Sequence, residues 1–136
     1  MADTPNPRTT IRRLIGVYNA NSTLRGELAY WIGARLGRAH CALCDITHGN
    51  VRERSDWKQC RAGLPVPFDT YHRDDQPGEI REVAGSRVPV IVADTGPARG
   101  LVLLLGPDDI QACEGSPSHL SEALTQAADR HHLDWP

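Results

Sequence analysis

Apolar positions along the chain follow two rhythms. In residues 11–18 they are dense: Ile11, Leu14, Ile15, Val17 and Tyr18 are apolar or β-favouring, which predicts a strand. Residues 19–23 are polar and rich in side chains that cap helix N-termini. Leu24, Leu28, Trp31, Ile32 and Leu36 then recur at helical spacing, and Gly37 suits the position just past a helix. Gly26 and Gly33 weaken that helix but leave room for another element to approach.

A short helix is predicted over 52–61, stopped by Gly63 and Pro65, with Trp57 as its packing anchor. Residues 66–72 alternate, with Val66, Phe68 and Thr70 on one face, and read as a strand. A short helix at 79–84 leads to a buried strand at 88–93. The turn at 95–100 and the apolar run 101–105 complete a β-hairpin. Pro107-Asp108-Asp109 opens a helical turn. Ser116-Pro117 starts a last helix whose inner stripe is Leu120, Ala123, Leu124 and Ala127. Residues 1–9 read as a disordered tail and 129–136 as a polar one.

The β-α-β order, followed by a hairpin and a helix, resembles the thioredoxin-like fold over about residues 11–130. The resemblance implies a single α/β domain, residues 10–136. It would have a central mixed sheet, flanking helices and an insertion at 38–65 after the first helix. Within it, Val88-Pro89-Val90-Ile91-Val92 looks like the segment entering the third core strand, where the family's proline is cis and faces the active site. This makes Pro89 a candidate site residue. The chain departs from that pattern at one important place. The family's Cys-x-x-Cys sits where the first strand meets the first helix, and here that junction is Tyr18-Asn19-Ala20-Asn21-Ser22. The segments Tyr18-Asn19-Ala20 and Cys41-Ala42-Leu43-Cys44-Asp45-Ile46-Thr47-His48-Gly49 also resemble those of a family of small, functionally uncharacterised bacterial proteins. That second resemblance implies no activity.

The inserted segment carries the densest chemistry. His40-Cys41-x-x-Cys44-x-x-x-His48 places two thiols and two imidazoles within nine residues, and Cys60 follows. Thiolate sulfur and imidazole nitrogen suit a tetrahedral zinc ion. A tight turn would let Cys41 and Cys44 meet one metal, with His48 as third donor and Cys60 or His72 as fourth. A second chemistry is thiol–disulfide exchange by Cys41 and Cys44. There His40, Arg35 and Arg38 would favour thiolate. The plain alternative is two small buried cysteines packing behind a helix, as expected for Cys113.

Other side chains carry weaker signals. Asn19 lies at a strand-to-helix junction, where open α/β sheets gather ligands, although an ordinary capping role is the favoured reading. His72, in His72-Arg73-Asp74-Asp75, could line the same edge as a general acid–base or metal ligand, or belong to a solvated loop of charges. No P-loop pattern occurs.

Composition narrows the classes. Net charge is −2, which argues against nucleic-acid binding by the whole molecule, but residues 1–64 carry +5 and residues 65–136 carry −7. The basic half could serve a non-catalytic interaction module, and a small molecule or protein partner fits equally. No apolar run approaches the ~20 residues that span a bilayer, and the polar N-terminus predicts a cytoplasmic chain without a secretory signal. Four cysteines in a reducing compartment favour metal, redox or core roles over structural disulfides.

Overall fold

The computed structural model describes residues 8–19, 42–47 and 55–136. The helix expected at residues 24–36 lies outside them. In chain order the elements are β1 (Thr9–Thr10), β2 (Arg13–Tyr18), α1 (Ala42–Thr47), α2 (Ser55–Ala62), β3 (Phe68–His72), α3 (Gly78–Ala84), β4 (Val90–Asp94), β5 (Leu101–Leu105), α4 (Pro107–Gln111), α5 (Pro117–Arg130) and β6 (Leu133–Asp134). They form a mixed α/β structure. None of the described helices is long and apolar enough to cross a membrane.

Four strands make a mixed sheet in the order β3-β2-β4-β5. Strands β2 and β3 run parallel, with Leu14 opposite Phe68 and Tyr18 opposite His72. Strand β4 is antiparallel to β2, placing Arg13 opposite Asp94 and Val17 opposite Val90. Strand β5 returns antiparallel to β4, with a bulge between Ile91 and Val92. The peptide bond joining Val88 to Pro89 is cis.

Strand β2 is buried on both faces, which explains its unbroken apolar run. Leu14 and Tyr18 pack into a cluster with Leu43, Ile46, Trp57, Phe68, Leu120 and Leu124. Ile15 and Val17 pack on the other side with Ile80, Ala84, Val90 and Val92. Each fully buried Leu or Ile in these clusters contributes roughly 1.5–3 kcal/mol. Gly16 sits between them for a steric reason. A Cβ there would lie 3.0 Å from Phe68 Cε1 and 3.1 Å from Leu43 Cδ2. The absent side chain is what lets α1 rest closely on the sheet.

The N-terminal half of the last helix is laid out as its sequence predicts. The Ser116 hydroxyl accepts the His119 N–H, Pro117 occupies the first turn, and Leu120, Leu124 and Ala127 are buried.

Three expectations need correction. The disordered tail expected at 1–9 does not include Thr9, which belongs to β1, and residues 1–7 lie outside the described ones. The segment after residue 129 is no polar tail. Helix α5 continues to Arg130, and β6 then pairs in parallel with β1, setting Thr9 opposite Leu133. Leu133, one apolar residue among polar ones, is almost wholly buried and closes the core. The tight turn expected around Cys44 is helix α1. Leu43, Ile46 and Thr47 share one face and are fully buried, a short i, i+3, i+4 stripe.

Candidate functional site

The carboxyl ends of the parallel strands β2 and β3 bring several chemistry-bearing side chains to one edge. Strand β2 ends at Tyr18 and is followed by Asn19. Strand β3 ends at His72 and is followed by Arg73. The register sets Tyr18 opposite His72, and their rings lie 5.5 Å apart at a tilt of 45°. The Arg73 guanidinium donates to Asn19 Oδ1 at 3.2 Å, joining the two strand ends a second time.

Helix α1 meets the same edge. Its last residue, Thr47, is fully buried, and its hydroxyl shares a hydrogen bond with the Tyr18 hydroxyl at 3.0 Å. This buried bond ties α1 to the end of β2. Cys44 belongs to α1, one turn before Thr47. Residues 40, 41 and 48, the positions of His40, Cys41 and His48, lie outside the described residues.

His72 is held by the loop that follows it. Its backbone N–H donates to Asp75 Oδ1, and its ring Nδ1 lies 3.2 Å from Asp75 Oδ2. A single carboxylate three residues on thus fixes both main chain and ring, as Asp does in tight turns. An imidazole that gives its Nδ1 proton to a carboxylate carries its basic lone pair on Nε2. The loop of charges around residues 72–75 is therefore organised about His72. The Gln76 amide also caps it, donating to the Arg73 carbonyl at 3.1 Å.

Pro89 is buried and immediately precedes Val90, which pairs with Val17 next to Tyr18. It lies at the same end of the sheet as Asn19 and His72.

Cys60 is placed differently. It lies on α2, half-buried, and its Sγ sits 3.5 Å from the Pro117 carbonyl at the start of α5. Burial, and secondarily the Asp56 carboxylate, push its thiol pKa up. It lines a cleft of about 750 Å³ between α2 and α5, with Gln59, Ser116 and Ser121. Cys113 is core, as expected. It is buried, its Sγ lies 3.5 Å from the Asp109 carbonyl, and burial and then Asp109 raise its pKa. Among the described residues, no group of three His, Cys, Asp or Glu side chains converges as metal ligands would.

Sequence reasoning singled out Asn19, His72 and Pro89 separately, and the structure puts them at one edge. It gave no role to Tyr18, Thr47 or Asp75. The spacing of Asp75, three residues after His72, was the available signal for the last of these. Comparison of the chain with protein-family models, curated proteins and solved structures finds no match.

Proposed function

We propose that this protein is a metal-binding protein, whose zinc ion is held by Cys41, Cys44 and His48 from the inserted segment and by His72 from the end of β3. The observation that carries the reading is the Asp75–His72 pair. Metal-bound imidazoles characteristically donate their second ring N–H to a carboxylate, which fixes the tautomer and raises ligand basicity. Here that carboxylate is in place on a histidine at the strand end where α1 docks.

The reading takes His72 rather than Cys60 as fourth donor, because the Cys60 thiol is engaged with Pro117 in a different cleft. Four protein donors fill a tetrahedral shell and leave no position for a reacting water. The ion would therefore tie the inserted segment to the sheet edge, with no bond-breaking chemistry at the metal. Chelation tests this directly. Treating purified protein with a strong zinc chelator should lower its unfolding midpoint, and adding one equivalent of zinc should restore it. Unchanged stability under chelation contradicts it.

One observation favours a second reading, thiol–disulfide exchange by Cys41 and Cys44. The sheet order β3-β2-β4-β5, its strand directions and the cis bond before Pro89 all agree with a thioredoxin-like fold. In that family the proline faces the redox site. Equilibration against glutathione buffers separates the readings, because a redox pair oxidises reversibly, whereas a zinc-bound pair resists oxidation until the metal is removed.

A further inference from the structure

The opposite end of the sheet is chemically different. Strand β1 with the residues flanking it, the β4–β5 turn and the link from α5 to β6 line a cavity of about 690 Å³, with Arg8, Thr10, Arg12, Thr95, Arg99 and His132 on its walls. Arg12 lies six residue steps before Tyr18, about 20 Å along the extended chain, and the two sites share no residue. The volume falls within the range of small-molecule pockets, roughly 300–1,000 Å³.

The arginines around this end divide into two kinds. Arg8 is paired with Asp129 and Asp134, and Arg13, outside the cavity, with Asp69 and Asp94. Arg12 and Arg99 form no ion pair with a carboxylate among the described residues. Both are held in place by other means. Arg99 donates to the His131 carbonyl at 2.6 Å, and its backbone N–H donates to the Thr95 hydroxyl at 3.0 Å. The Arg12 guanidinium lies against Gly96, where a Cβ would come within 2.8 Å of Cζ and Nη1. A glycine at φ +65° thus gives both the turn and the space for the guanidinium. Arg99 also acts on neighbouring His131. Burial is the main cause of its lowered pKa, and Arg130, Arg99 and His132 add to it.

We propose that this cavity binds a small molecule carrying a phosphate group. Two guanidinium groups that form no close ion pair match a phosphate in charge and in planar, bidentate geometry, although Arg12 also acts on the Asp94 carboxylate at longer range. Thr10 and His132 also line the cavity and are residues able to hydrogen-bond.

Inorganic pyrophosphate and inorganic phosphate are the probes. Titrations at constant ionic strength, followed by amide chemical shifts, should show saturable binding with changes at residues 9–12, 95–100 and 132. Arg12→Gln and Arg99→Gln should each weaken pyrophosphate binding at least tenfold, with chemical shifts elsewhere unchanged to show that the variants are folded. A response that does not saturate, that sodium chloride reproduces, or that persists unchanged in both variants would overturn the proposal.

Discussion

The hydroxyls of Tyr18 and Thr47 lie 3.0 Å apart in the core, joining the end of the central strand to the helix that carries Cys44. Replacing Tyr18 with Phe keeps the ring but removes one partner. The expected loss is about 1 kcal/mol of unfolding free energy, measured as a lower denaturant midpoint. Zinc affinity should fall in parallel, since the dock positions α1. Unchanged stability and unchanged affinity would show that the contact does not hold the helix.

Gly16 is the steric counterpart of that dock. Gly16→Val would drive methyl groups toward Phe68 and Leu43, where even a Cβ has only 3.0–3.1 Å. Overpacking of this kind costs roughly 1–3 kcal/mol. Equilibrium urea unfolding should show a loss in that range. A variant as stable as the wild type would mean that α1 can shift without cost.

Gly96 and Gly100 provide a matched pair. Their φ angles are +65° and +66°, so an alanine at either should cost about 1 kcal/mol relative to glycine, through backbone strain. They differ in surroundings: a Cβ at Gly96 meets the Arg12 guanidinium, whereas one at Gly100 meets nothing within 4 Å. Both variants should lose similar stability in thermal melts, while only Gly96→Ala should also displace Arg12 and weaken pyrophosphate binding. Equal binding losses in the two would assign the effect to the turn as a whole.

Asp94 sets an acid-side limit on stability. Burial by itself pushes its carboxyl up. The Gly96 N–H at 2.8 Å and the Arg13 guanidinium at 2.9 Å outweigh that, and together with Arg12 hold it below the usual carboxylate range. A carboxyl whose pKa is lower folded than unfolded stabilises the fold above its unfolded pKa, near 3.8. That contribution is lost as pH falls through the folded value. Wild-type stability should therefore drop below about pH 4, and Asp94→Asn should flatten part of that drop while being less stable at pH 7. Denaturant midpoints at pH 7, 4 and 3 supply the comparison. Parallel pH profiles for the two proteins would remove Asp94 as a cause.

Much of this architecture is legible in the sequence because burial follows simple periods. The runs at 11–18, 88–93 and 101–105 each became a strand, and Ser116-Pro117 became the start of α5. What escaped depends on contacts between distant segments. Leu133 looks like one apolar residue in a polar tail until Thr9 pairs with it. Cys60 is a candidate fourth ligand by spacing, and its contact with the Pro117 carbonyl of α5 has no signature in the local sequence. Neither the Tyr18–Thr47 contact, 29 residues apart, nor the register that sets Tyr18 beside His72 has a local signature. His72 is named by its own chemistry, whereas Asp75 has a role only because the turn folds its carboxylate back onto the ring.

The most direct test of the metal site is the zinc content per chain of untagged protein, measured by elemental analysis in the wild type and three variants. The site built on Cys41, Cys44, His48 and His72 predicts one zinc per chain in the wild type and in Cys60→Ser. It predicts a loss of at least tenfold in affinity for Cys44→Ser and His72→Gln. A folded wild type that carries no zinc and takes up none, or a Cys60→Ser variant that loses the metal while His72→Gln retains it, would contradict the assignment.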